Sequence, residues 1–133
     1  YSPVSVKTSL KTNRQDVESG KMKVLEGSVE ALPFADDGFD KIITVESFYF
    51  WPDPQENLKE VRRVLKEGGT FLLVAETNNK EGLDPKTLEN ICRFHLFTPT
   101  AEEFRKLFEK AGFTDIQIHV KEGTDWICVE GKK

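Results

Sequence analysis

The residues best placed to do chemistry form one run, Val45-Glu46-Ser47-Phe48-Tyr49-Phe50-Trp51. Glu46 carries a carboxylate and Tyr49 a phenol, and either type can take a proton from a reacting group held within hydrogen-bond reach. The aromatic wall around them suits a cationic ligand, because ring faces attract positive charge. A second pair, Ser28-Val29, offers a hydroxyl, a backbone amide and an apolar side chain to one ligand edge. Each set has a plain alternative: Glu46 and Tyr49 as ordinary polar lining, Ser28 as a turn cap.

Other suggestive residues point away from chemistry. Cys92 and His95 stand three apart but lack two further ligands, so no metal is expected. Gly68-Gly69 follows a helical segment and precedes a strand, the reverse of a phosphate-cradling glycine loop. It reads as a helix stop and tight turn. His119 alternates outward on a strand, and Glu102, Glu103, Arg105 and Lys106 make a solvated helix face. Cys92 and Cys128 sit among apolar neighbours and read as buried reduced thiols of a cytoplasmic protein.

These residues need elements to position them. The chain has 133 residues, enough for one domain, with 38% hydrophobic and 32% charged residues. A net charge of −4 gives no general attraction for nucleic acid or anionic membrane. No apolar run approaches the length of a membrane span. Strand-like and helical segments alternate, which predicts a largely parallel α/β sheet. Strands are expected at residues 22–26, 39–45, 70–75, 115–120 and 126–130, the last two as an antiparallel pair. The Ile42-Ile43-Thr44-Val45 run suits burial on both faces. Ser2-Pro3 opens a first helix. Helix 54–65 should join strands 39–45 and 70–75, which should lie side by side and parallel. A short helix is expected near 85–93 within an irregular stretch from residue 78. Thr100-Ala101-Glu102-Glu103 forms a capping box for a helix ending at Gly112.

Three segments then carry a resemblance. They are Glu26-Gly27-Ser28-Val29-Glu30-Ala31-Leu32-Pro33-Phe34, Asp37-Gly38-Phe39-Asp40-Lys41-Ile42-Ile43-Thr44, and Leu58-Lys59-Glu60-Val61-Arg62-Arg63-Val64-Leu65-Lys66-Glu67-Gly68-Gly69. In order and spacing they are similar to class I S-adenosylmethionine-dependent methyltransferases that act on small molecules. That family's pattern runs G-D-A-x-x-L-P-F, then F-D-x-V, then E-x-x-R-V-L-K-P-G-G. The resemblance implies a Rossmann-like three-layer sandwich in partial form, with a mostly parallel sheet ending in an antiparallel pair. It implies S-adenosylmethionine as cofactor and a small-molecule methyl acceptor. Ser28 and Val29 would hold the adenine edge, with Ser28 where the family usually has Asp. Val45 and Glu46 would border the methionine part. Glu46 or Tyr49 would serve as base where one is needed, since Tyr49-Phe50 stands where relatives often carry two histidines.

The chain begins with Tyr1, not Met, and its motifs start after the family's glycine-rich turn and ribose-binding carboxylate. Residues 1–133 are therefore expected to be the C-terminal portion of a methyltransferase domain, inactive alone. Its first strand, without the two family strands beside it, would move beside 40–45, pair across a dimer, or stay loose. Exposed strand edges invite such a dimer. A non-catalytic binding domain with the same fold is the alternative. A dinucleotide-dependent oxidoreductase fits less well, for want of a glycine fingerprint.

Overall fold

The computed structural model describes residues 2–76 and 82–133. Four strands form one sheet in the order β1 (Phe39–Val45), β2 (Leu65–Ala75), β4 (Ile127–Lys132), β3 (Thr114–Val120). β1 and β2 are parallel, with Ile42 beside Phe71 and Val45 beside Val74. β4 runs antiparallel to both β2 and β3. The sheet closes on the expected antiparallel pair, β3 with β4. The expected strand at 22–26 does not form. Residues 22–27 adopt no regular secondary structure, and among the described residues no strand pairs with them. A strand is held by its neighbour's ladder, and here only an isolated bridge, Ser28 to Ala31, follows. The parallel part of this sheet is accordingly one pair, β1 with β2.

Helix α1 (Pro3–Thr12) is capped by Ser2, whose hydroxyl accepts the Ser5 amide at 3.2 Å. Neither α1 nor α2 (Arg14–Glu18) has a buried residue. α3 (Pro54–Val64) starts at Asp53, which accepts the Glu56 amide, and buries Leu58, Val61 and Val64. The chain passes from Val64 directly into β2, so Gly68-Gly69 is not the helix stop. It lies inside β2, where the register jumps from Phe39–Leu65 to Lys41–Thr70. Gly68 has φ 72°, and a Cβ at Gly69 would stand 2.8 Å from Leu65 Cγ. α4 (Pro85–Phe94) ends at His95 in the left-handed region. The irregular stretch expected from residue 78 begins outside the described residues. α5 (Ala101–Ala111) has the full capping box: Thr100 Oγ1 accepts the Glu103 amide at 3.2 Å, and Glu103 accepts the Thr100 amide at 2.7 Å. That amide holds the Glu103 carboxyl below its ordinary range.

α3 and α5 lie against one face of the sheet. There Phe71, Leu73, Ile127 and Val129 are buried with Phe104, Phe108 and Phe113. The Phe71 and Phe108 rings stack 5.5 Å apart. The opposite face carries Ile43, 64% exposed, and Val45, 55% exposed. Burial of residues 42–45 on both faces is thus met on one, because both packed helices lie on the same side. This is the partial form of the expected sandwich. Cys92 and Cys128 are free thiols, but Cys92 is exposed. It follows the half-buried Ile91 on α4, and one step along a helix turns the side chain about 100° away.

Candidate active site

β1 delivers the chain to the C-terminal edge of the sheet and stops at Val45. Glu46 then adopts φ 54°, a left-handed conformation uncommon for a residue with a side chain. Its amide donates to the Val74 carbonyl at 3.0 Å. Its Oε1 accepts the Glu76 amide at 2.5 Å and the Tyr49 hydroxyl at 3.1 Å. Glu46 therefore ties the end of β1 to the end of β2 and to the 3-10 turn Phe48–Phe50. Phe48 anchors that turn, its ring 5.0 Å from Trp51, 5.8 Å from Phe97 and 5.3 Å from Phe104. Ser47 hydrogen-bonds Thr44 at its start.

Two clefts open at this edge. One, of about 540 Å³, lies between Glu46, Tyr49 and Phe50 on one side and Thr87, Asn90 and Ile91 of α4 on the other, with Asp125 at its rim. Asp84 caps α4 by accepting the Lys86 and Thr87 amides at 3.0 and 3.1 Å. Its bonds to Thr87 hold the carboxyl below the usual range. The second cleft, of about 420 Å³, lies between Gly27, Ser28 and Val29 and the segment Ser47, Phe50, Trp51. The edge thus brings Ser28, Val29, Glu46 and Tyr49 together around Phe50. Val45 stays apart, exposed on the open sheet face and outside both clefts. Ser28 also forms the turn that was its plain alternative: its hydroxyl donates to Glu30 at 3.0 Å and accepts the Glu30 amide at 3.3 Å.

The loop carrying Ser28 is pinned from α3. Glu60 accepts the Leu32 amide at 2.8 Å, and Arg63 donates to the Phe34 carbonyl at 3.0 Å, to Asp36 at 2.5 Å and to Glu60 at 2.7 Å. Arg63 beside Glu60 holds that carboxyl below its ordinary range. Phe34 meets Phe39 edge-on at 4.8 Å. Asp40 pairs with Lys66 at 2.8 Å. These contacts dock Leu32-Pro33-Phe34 against the core; the Glu60–Arg63 clamp was missed in the sequence. Its signal is the i, i+3 spacing that places both on one helix face. Thr87, Asn90 and Ile91 were missed too, although i, i+3, i+4 spacing marks a single face of α4.

Among the described residues no group of His, Cys, Asp and Glu is arranged to hold a metal ion. The second cleft offers hydroxyls from Ser28 and Ser47 and apolar walls from Val29, Phe50 and Trp51. Residues 1–73 match the family model described as a methyltransferase domain.

The chain belongs to the methyltransferase domain family. It is 34% identical, over 82% of its length and 32% of the relative's, to 2-methyl-6-phytyl-1,4-hydroquinone methyltransferase 1, chloroplastic, of Oryza sativa subsp. japonica. The chain spans about a quarter to a third of the curated methyltransferases it matches in rice, spinach and Arabidopsis, 26–32%. In structure this methyltransferase domain superposes on an S-adenosylmethionine-dependent methyltransferase of Thermotoga maritima, described as a possible histamine N-methyltransferase. The TM-score is 0.72 at 25% identity, covering 90% of this chain and 69% of that one. Phosphoethanolamine N-methyltransferase 2 of Haemonchus contortus, solved with phosphomonomethylethanolamine and S-adenosylhomocysteine, shares the fold at TM-score 0.68 and 14% identity, over 80% and 36% of the two chains. The Rossmann-like α/β fold of the class I methyltransferases is therefore that of this domain.

Proposed function

We propose that the protein transfers a methyl group from S-adenosylmethionine to a small-molecule acceptor at the C-terminal edge of its sheet. The observation that carries the reading is the pair of adjoining clefts there, one flanked by Ser28 and Val29 and the other by Glu46 and Tyr49. The cofactor, when bound, supplies a methyl carbon open to direct displacement. Ser28 and the Val29 backbone would meet the adenine edge, and the Val29 side chain its face. Glu46 and Tyr49 would face the acceptor. Where the acceptor has a proton to lose, the Tyr49 oxygen receives it as its own passes to Glu46, along the 3.1 Å bond between them. Where the acceptor is already reactive, alignment alone supplies much of the rate. Val45, exposed on the sheet face, would touch cofactor only beyond these clefts.

A small acceptor agrees with the hydroquinone methyltransferase names of the plant relatives and with the acidic balance of the chain, net −4, which gives no general attraction for nucleic acid. The free thiols suit a reducing compartment such as the cytoplasm. Among the described residues no helix is long and apolar enough to cross a membrane. Residues 1–133 are read as the C-terminal portion of the domain, with the glycine-rich cofactor loop and ribose carboxylate elsewhere. By that reading this chain alone binds cofactor at millimolar or weaker affinity, since two lost bonds of roughly 1.5–3 kcal/mol each, together with the lost backbone contact at the methionine end, separate it from a micromolar binder. Calorimetric titration of the complete protein with S-adenosylhomocysteine tests the function. Saturable one-to-one binding is expected, and no saturable heat up to millimolar ligand overturns the reading.

A further inference from the structure

Phe50 lines both clefts, and among the described residues no other side chain is shared between them. It meets Ser28 and Val29 across one cleft and Tyr49 and Ile91 across the other. Phe50 is 68% exposed, whereas Phe48 and Tyr49 before it are buried. The turn beneath is already secured: Phe48 packs into the core, and Tyr49 bonds Glu46. The Tyr49 and Phe50 rings meet nearly edge-on, 6.2 Å apart at 86°. A ring so exposed gains little from exclusion of water, and the core does not require it. What the position provides is an aromatic face on the wall between two cavities.

We propose that the face of Phe50 stands against the sulfonium of S-adenosylmethionine and makes the site favour the charged cofactor over its neutral product. This rests on the reading that the Ser28 cleft takes the adenosyl group and the Glu46 cleft the acceptor. A methyl group passing from one to the other must cross their common wall. An aromatic face attracts a cation through its quadrupole, whereas a neutral thioether makes only a sulfur–aromatic contact, and that often at the ring edge. On transfer the acceptor's electron pair bonds the methyl carbon, and the carbon–sulfur pair stays on sulfur. The positive charge beside Phe50 is then gone. The ring thus holds substrate more tightly than product, which helps the spent cofactor to leave.

The test compares two ligands on the complete protein. Phe50→Leu keeps apolar bulk and removes the aromatic face; Phe50→Tyr keeps the face. Dissociation constants for S-adenosylmethionine and S-adenosylhomocysteine are measured by calorimetry for all three proteins. Phe50→Leu should weaken the methyl donor about threefold to tenfold more than the product, and Phe50→Tyr should keep the wild-type ratio. Equal weakening of both ligands, or of neither, overturns this inference and leaves the functional reading intact. Failure of the wild-type protein to bind either ligand removes both. A Phe50→Leu protein that does not fold contradicts the argument that the core does not need this ring.

Discussion

On β1 and β2 both faces of the sheet carry apolar residues, and the two faces meet opposite fates. Ile42, Phe71, Leu73, Ile127 and Val129 point towards α3 and α5 and join the core. Ile43 and Val45, their alternates on β1, stand in solvent at 64% and 55% exposure. Leu72, Val74 and Cys128 are only half-covered on that side. Alternation along a strand decides which residues share a face, and covering elements decide whether that face is buried. The covered face carries the stability of this chain. The candidate site belongs to neither face, since it is built where β1 and β2 end.

The largest expected effect lies on the covered face. Phe104 is fully buried, and Phe104→Ala should cost about 3–5 kcal/mol in denaturant unfolding. On the open face of this chain Ile43→Thr should change stability by no more than about 0.5 kcal/mol. A larger loss at Ile43 would show that the face is covered in solution and would end the contrast.

An intermediate effect is expected where the site loop meets α3. Glu60→Gln should cost about 1–3 kcal/mol near neutral pH, by weakening the clamp on Leu32 and Arg63. Its carboxyl is held below the ordinary range, first by the bond from Arg63. A depressed carboxyl stabilises the fold above its unfolded pKa and loses that contribution as pH falls through the folded value. The gap between wild type and Glu60→Gln should therefore be full at neutral pH and close in acid. Unfolding curves across that range check it, and a gap that widens in acid would contradict the assignment.

The smallest effect concerns the thiols. Burial, with Glu130 beside it, pushes the Cys128 thiol up. Less thiolate and less access should make Cys128 slower than the exposed Cys92 towards iodoacetamide at neutral pH. Peptide mass mapping over time reads the two rates, and faster labelling of Cys128 would show the open face to be looser than described.

Much of this was legible in the residues themselves. The parallel β1–β2 pair with its connecting helix, the antiparallel β3–β4 pair and the Thr100 capping box follow from periodicity and caps that are local in sequence. The 22–26 strand was not, because its apolar residues describe a strand only when a partner lies alongside. Gly68-Gly69 looked like a helix stop, and the register jump against β1 places it inside β2, with Gly69 in tight approach to Leu65. Of the candidate site, the run Glu46 to Trp51 was visible as chemistry. The cleft wall from α4 and the Arg63 clamp were not, since each joins residues roughly thirty or more apart, a separation that no local pattern encodes.

The central claim is that the C-terminal edge of the sheet holds the adenosyl group in the Ser28 cleft. Amide nuclear magnetic resonance of the complete protein, titrated with S-adenosylhomocysteine, tests it most directly. Saturable shifts concentrated at Ser28, Val29, Ser47 and Phe50, with Gln117 and His119 on the outer strand unmoved, are the predicted result. Saturable binding that leaves Ser28 and Val29 unshifted while moving residues elsewhere would contradict the account.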